Sequence, residues 1–389
     1  MTTDFALPVP FDGLPDLTPV ETARLVRAKA AYTTRFARRL FLESAGPYAL
    51  QTAGTPRSGD VVLARVVEIG QHQRLEDPSG RRAALFVGDE ILVAYGARYA
   101  PDQFEAEVPA DLGPTRLVAA GGLAANVVSQ HAEMLEATTL EPIGLVVDHA
   151  GVVNLRRCAP YSVAGAPTPR HPGRVPTIAV LGTSMNSGKT TTVGSIVRGL
   201  SRAGLTVAAG KVTGTGAGGD PGVFADSGAS RVLDFTDFGH PSTYLLPHGE
   251  IAGLTRAIRD ELLLGSPDVV VLEVADGLFQ RETAQLVADP AFGSMVDAVV
   301  FAAGEALGAV AGLERLRSLG LPVMAVSGLL TASPLATEEA RGHLPVPVWG
   351  PEELAGPKAA ALVPPVSPLA SRPQSARIHA ASSAEPVAV

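Results

Sequence analysis

The run Thr177-Ile-Ala-Val-Leu181 leads straight into Gly182-Thr-Ser-Met-Asn-Ser-Gly-Lys-Thr-Thr-Thr192, and an amphipathic helical pattern follows it without a break. That order leaves few ways to fold. A continuously apolar run reads as a strand covered on both faces. Gly182 and Gly188 then permit a tight turn, and Lys189 opens a helix whose first N–H groups have no partner within it. A loop so placed turns its amides toward an anion at the positive end of the helix. Gly188 lets the backbone approach a phosphate with no Cβ in the way. Lys189 is placed to reach β- and γ-phosphates, and the Thr190 hydroxyl to ligate magnesium. The nucleotide-binding set is Gly182, Thr183, Asn186, Ser187, Gly188, Lys189, Thr190 and Thr191.

The rest of the chain arranges itself around this loop. From residue 177 to 355 apolar strands alternate with helices: strands at Thr177–Leu181, Thr206–Lys211, Asp268–Ala275, Ala298–Ala303 and Pro322–Val326, with an edge strand at Val346–Val348. Helices are expected at Lys189–Ala203, Glu250–Leu264, Leu307–Leu319 and Ala336–His343. This is the pattern of an α/β doubly wound parallel sheet, a P-loop NTPase domain. Residues 46–158 read instead as a β-rich, small barrel-like domain, with strands near Asp60–Glu68, Ala84–Val87, Glu90–Ala94 and Arg116–Ala119 and one helix at Leu123–Leu135. Residues 1–45 form an N-terminal basic helical segment, with the helix over Thr18–Leu42. A proline-rich linker covers 159–176, and 356–389 is expected to be a disordered tail.

Composition excludes several classes. The 39 acidic against 31 basic residues give a formal net charge of −8, which disfavours nucleic acid as a general partner. The single Cys158 rules out an intramolecular disulfide framework and a cysteine-rich zinc site, and fits a reducing compartment. His131, His171, His240 and His248 have no metal-ligand spacing. Residues 1–19 lack the pattern of a signal peptide, and the stretch 296–313 is interrupted by Asp297 and Glu305, so the expectation is a cytoplasmic protein with no membrane partner.

The loop has one residue more between its glycines than the usual Walker form. In that spacing it resembles the dethiobiotin synthetase type of P-loop, in the class that includes molybdopterin-guanine-dinucleotide adaptor-like ATPases (the SIMIBI class). Lys211 ending the second strand before Thr213-Gly214, and the apolar strand running into Glu273-Val-Ala-Asp276-Gly277, are similar to that class over residues 177–350. This chain departs from it after Glu273, where the family has Gly-Ala-Gly-Gly. The resemblance implies an ATP-dependent small-molecule kinase or ligase using ATP and Mg²⁺, with Lys189, Lys211 and Glu273 as catalytic residues. It implies a metal held by Thr190 and Glu273, with Asp226 or Asp220 as the second carboxylate, and Lys211 facing an acceptor such as a carboxylate. It also implies a possible homodimer. No Asn-Lys-x-Asp guanine-reading motif occurs between Val296 and Pro351, which favours ATP over GTP.

Other readings stay open. A nucleotide-operated switch or adaptor would use the β-rich domain to hold a protein partner. A polynucleotide kinase would use the basic helix. Two polar stretches could serve a ligand: Asp237–Tyr244 as a specificity loop, and Tyr95–Glu105, with Arg98, Asp102 and Gln103, as part of a site wall. Gly121-Gly122 could hold an anion before the helix expected at Leu123, or only shape a turn.

Overall fold

The computed structural model describes residues 16–44, 46–164 and 174–364. Six strands form one parallel sheet in the order Arg231–Asp234, Val207–Lys211, Val269–Glu273, Thr177–Gly182, Ala298–Ala302 and Val323–Ser327. Along Thr177–Gly182 successive side chains serve opposite cores, as the two-residue period requires. Ile178 and Val180 pack under the Lys189–Arg202 helix, while Ala179 and Leu181 pack under the His248–Leu263 and Ala306–Ser318 helices. The sheet is therefore doubly wound. Strand Thr177–Gly182 connects toward one edge and its neighbour Val269–Glu273 toward the other, so a crevice opens at their shared carboxyl ends.

The β-rich part closes on itself. Thr138–Asp148, Val61–Glu68, Glu90–Tyr95, Leu123–Gln130 and Thr115–Ala119 pair in turn, and the last pairs back to the first. A five-stranded ring results, filled by Val62, Val66, Ile91, Val93, Tyr95, Leu117 and Leu140. Closure leaves no free edge within the ring. Its outer face carries the short helices Thr22–Arg27 and Arg35–Glu43 through Leu25, Ala37 and Phe41.

Several expectations are corrected. Leu123–Leu135 is not a helix: Leu123–Gln130 is a ring strand, because its neighbours on both sides supply ladder bonds that outweigh the helix preference of Ala124 and Ala125. The segment Thr18–Leu42 is not one helix either. It breaks at Ala28–Thr34, where Lys29–Ala30 pairs with the ring and the Thr33 and Thr34 hydroxyls donate to the Gly122 and Leu92 carbonyls. Three of its basic side chains meet acids elsewhere in the chain: Arg24 pairs with Glu90, Lys29 with Asp89, and Arg35 with Asp237. Ordered structure continues past residue 356, since Pro357–Leu362 is a 3₁₀ turn whose Ala359 and Leu362 are buried beside the Lys189–Arg202 helix. Val346–Val348 contributes only one bridge, to Val326. Of the linker, Ala159–Ala164 and Arg174–Pro176 carry no helix or strand. The remaining linker residues (with His171), the N-terminal fifteen and the tail from 365 onward lie outside the described residues.

The two parts meet backbone to backbone. A Cβ on Gly121 would lie 1.9 Å from the Gly216 carbonyl oxygen, and one on Gly239 2.3 Å from the Arg156 Cα. Gly121-Gly122 thus serves this contact and a turn at φ +99°, with no helix start behind it. The Tyr32 hydroxyl donates to Asp234 across the seam at 3.2 Å, and Arg35 pairs with Asp237 at 2.7 Å. Gly121→Ala should therefore cost about 1–3 kcal/mol of stability by forcing the parts aside. Urea unfolding would measure it, and an unchanged midpoint would show that the seam is looser than described.

Candidate functional site

Strand register assembles the site. At the carboxyl edge Lys211 sits directly beside Glu273 on one neighbour and Asp234 on the other, while Val180, just before the loop, pairs with Glu273. The loop that follows turns with Asn186 at φ +62° and Gly188 at φ +94°, and Lys189 begins the helix. Asn tolerates that left-handed region, and Gly occupies it freely. A Cβ at Gly188 would also strike the Gly328–Leu329 backbone at 2.9–3.1 Å, so the loop is braced from the far side of the sheet.

Lys189 is buried, and its ammonium donates to the Ser184 carbonyl within its own loop at 2.7 Å. Burial lowers its pKa. The Thr190 hydroxyl donates to Asp220 Oδ1 at 2.9 Å, and the other Asp220 oxygen accepts from Lys211. Burial alone would lower the Lys211 pKa, but Asp220 and Glu273 outweigh it and hold the lysine charged. For Asp220 the balance runs the other way: burial raises its pKa, and Lys211 more than offsets this, so it stays ionised. Glu273 is pushed up to about 7, first by burial and then by the Asp220 charge. Its Oε2 is buried with no hydrogen-bond partner, as is Ser187 Oγ.

Lys189, Thr190, Lys211, Asp220 and Glu273 line one cleft of about 480 Å³, within the range of ligand sites. Asn186, Gly188 and Thr191 line it too. Gly182, Thr183 and Ser187 support the loop from beneath, where the Thr183 N–H bonds to the Ala302 carbonyl. Asp226 stands apart, exposed at the far end of the Gly219–Asp226 helix. Among the described residues no group of three or more His, Cys, Asp or Glu forms a metal cluster. The donors at hand do suit Mg²⁺, which keeps several waters and takes few protein ligands. They are the orphaned Glu273 oxygen, Asp220 and the Thr190 hydroxyl.

Two parts of the site go beyond the catalytic and metal residues expected from the sequence: Asp276, and the Tyr95–Glu105 stretch expected as a site wall. Asp276, three residues past Glu273, is a non-glycine residue at φ +65°, and burial raises its carboxyl pKa. Strained backbone of this kind persists where the surroundings over-determine it. Arg98 and Tyr99 reach the cleft from the β-rich domain, where Asn186 of the loop donates to Asp102 at 2.6 Å. The Asp237–Tyr244 stretch mostly lies buried in the seam, with His240, Ser242 and Thr243 below a tenth exposed. Tyr244 packs against Tyr99, with ring centroids 5.6 Å apart and planes tilted at 47°, and donates to Glu105. Cys158 is a free thiol, pushed up to about 11 by burial, which makes it a poor nucleophile.

No protein-family model matches this chain, and no curated protein matches it. Among solved structures it is similar to the 54 kDa signal recognition particle protein of Aeropyrum pernix K1 in complex with GDP, at 20% identity over 44% of this chain and a TM-score of 0.30. It is also similar to the signal recognition particle receptor FtsY of Elizabethkingia anophelis in complex with GDP, at 18% identity over 51% and a TM-score of 0.33. The kinase domain of the Escherichia coli tyrosine kinase ETK matches at 13% identity over 39% and a TM-score of 0.29. The chain spans 39% of the first and 66% of each of the other two. The fold rests on the chain's own strand order and phosphate loop, which are those of an α/β P-loop NTPase domain.

Glu273 gives a test of the site's electrostatics. A carboxyl whose pKa is about 7 when folded and near 4.5 in the unfolded chain stabilises the fold only while protonated. Its contribution is complete below about pH 4.5 and is lost as pH rises through 7. Glu273→Gln should match the wild type at pH 4.5 and exceed it by about 1–3 kcal/mol at pH 8 without magnesium. Thermal melts across that range would read it, and a gain independent of pH would refute the assignment.

Proposed function

We propose that the chain is an ATP-dependent enzyme that transfers the γ-phosphoryl group to a small-molecule acceptor, a kinase or ligase of the dethiobiotin synthetase-like kind. The observation that carries this reading is the convergence of Lys189, Thr190, Lys211, Asp220 and Glu273 on one cleft at the switch point of the sheet. Phosphoryl transfer asks the protein for positioning and charge neutralisation more than for covalent chemistry. The loop amides and Lys189 hold the phosphates. Thr190, Glu273 and Asp220 would hold Mg²⁺, which neutralises the β- and γ-oxygens when bound. An acceptor carboxylate would attack the γ-phosphorus as the bond to the β-bridging oxygen breaks, leaving an acyl phosphate and ADP. Lys211, fixed by Asp220, would face the acceptor.

A second reading has its own observation. The phosphate loop touches the β-rich domain directly through Asn186 and Asp102, so nucleotide occupancy at the loop would be felt there. That is the wiring of a nucleotide-operated switch or adaptor. A polynucleotide kinase is less favoured, because three of the basic side chains, Arg24, Lys29 and Arg35, pair with acids of this chain. A homodimer across the cleft would cover Phe279 and Leu307, which are 88% and 75% exposed near the loop. Sedimentation with and without ATP tests that.

Calorimetry with Mg²⁺ should show ATP binding more tightly than GTP, and Lys189→Ala should lose about a hundredfold or more of the ATP affinity. ATP turnover stimulated by a metabolite pool would mark an enzyme, and slow unstimulated turnover with a captured partner would mark a switch. Failure of both nucleotides to bind at millimolar concentration would end the reading.

A further inference from the structure

The hairpin of Arg98–Tyr99 and Phe104–Glu107 stands out in the β-rich domain because its tip is aimed at the other domain. Its turn closes through the Ala100 and Gln103 amides. It is tied to the phosphate loop by the Asn186–Asp102 bond and to the seam by the Tyr244–Glu105 bond. Those two ties fix where Arg98 sits. Arg98 is among the residues that line the cleft, facing the wall that Lys189 supplies from the opposite domain.

Arg98 is only 6% exposed, yet it has no counter-ion. Nη2 donates to the neutral amide of Gln103 at 2.8 Å, Nη1 faces His72 Nε2 at 3.5 Å, and Nε has no partner at all. His72 offers no charge, since burial holds its pKa down to about 4 and the imidazole neutral. The acids that act on Arg98, Asp102 and Asp276, lie beyond ion-pairing distance; Asn186 donates to one Asp102 oxygen, and the other is buried with no hydrogen-bond partner. A buried guanidinium without an anion is costly, and a chain has no structural use for one. Arg98→Gln or →Met would fill the same space without that cost. Lys189 is likewise without a carboxylate partner, bonded only to a loop carbonyl. Two unpaired cations, one from each domain, thus line one cleft.

We propose that Arg98 is an oxyanion-binding residue delivered in cis by the β-rich domain, gripping a phosphoryl or carboxylate group held between the hairpin and the phosphate loop. The inference rests on the phosphate-loop reading above and deepens it. The guanidinium fork suits a planar or tetrahedral oxyanion, and a lysine would hold it less specifically. The Asn186–Asp102 tie sets the hairpin's distance from the loop, so Arg98 can act only while the domains stay docked. Two oxyanions could fill the place: the terminal phosphate of the nucleotide, or an anionic group of the acceptor.

Calorimetry on the full chain with magnesium separates them, using the wild type, Arg98→Met and Arg98→Lys. The probes are ADP, a non-hydrolysable ATP analogue, and inorganic phosphate added to the ADP complex. A loss of about tenfold or more for the ATP analogue, with ADP unchanged, places the γ-phosphate on Arg98. The same loss for phosphate alone, with both nucleotides unchanged, places the acceptor there. All three titrations matching the wild type would overturn the proposal. If Arg98→Met does not fold, Arg98→Lys decides the binding question. Should the wild type bind neither nucleotide, the phosphate-loop reading fails separately, and phosphate titrated into the nucleotide-free protein still judges Arg98.

Discussion

Charge buried at the carboxyl edge of the parallel sheet is the constraint around which the rest of the molecule is arranged. Lys211 and Asp220 neutralise each other, and Asp220 also fixes the Thr190 hydroxyl. What remains is unpaired: Glu273 and Asp276 on one side, Lys189 and Arg98 on the other, none of them in an ion pair. Placing such groups out of water is expensive, and a fold meets that cost only where a ligand returns it. The ligand that would satisfy all of them at once carries oxyanions for the cations and a divalent metal for the carboxylates. Nucleoside triphosphate with magnesium has that composition.

The docking of the two domains follows from the same need. The cleft has no wall on one side unless the hairpin at Arg98–Glu107 stands against the loop, and the seam holds it there with side-chain bonds and glycine contacts alike. Contacts as close as those at Gly121 and Gly239 do not slide, so movement of one domain against the other requires the seam to open as a unit. Asn186, which belongs to the loop and bonds to the hairpin, would link nucleotide binding to domain docking.

Much of this was legible in the sequence, for local reasons. The central strands are apolar without interruption because both faces are covered, and the loop between Leu181 and Lys189 can hardly serve another geometry. What escaped was set by neighbours distant in sequence. Ala124 and Ala125 favour a helix in isolation, and only the flanking ring strands make that stretch extended. The edge strand Arg231–Asp234 is short and polar, paired on one side only, so it carries no apolar run to find. The helix Gly219–Asp226 holds two glycines and a proline besides Asp220, which hid both the helix and which of its aspartates turns inward. Arg98 lay in a polar stretch that marked a site wall, but its approach to Lys189, ninety positions on, is a property of the seam.

Hydrogen exchange with and without ATP and magnesium tests the central claim most directly, since it reports both walls of the cleft in one experiment. The account predicts added protection in the loop at 182–192 and, together with it, in the hairpin at 98–107. Protection of the loop with an unchanged hairpin would contradict it, leaving a phosphate site that the β-rich domain does not share.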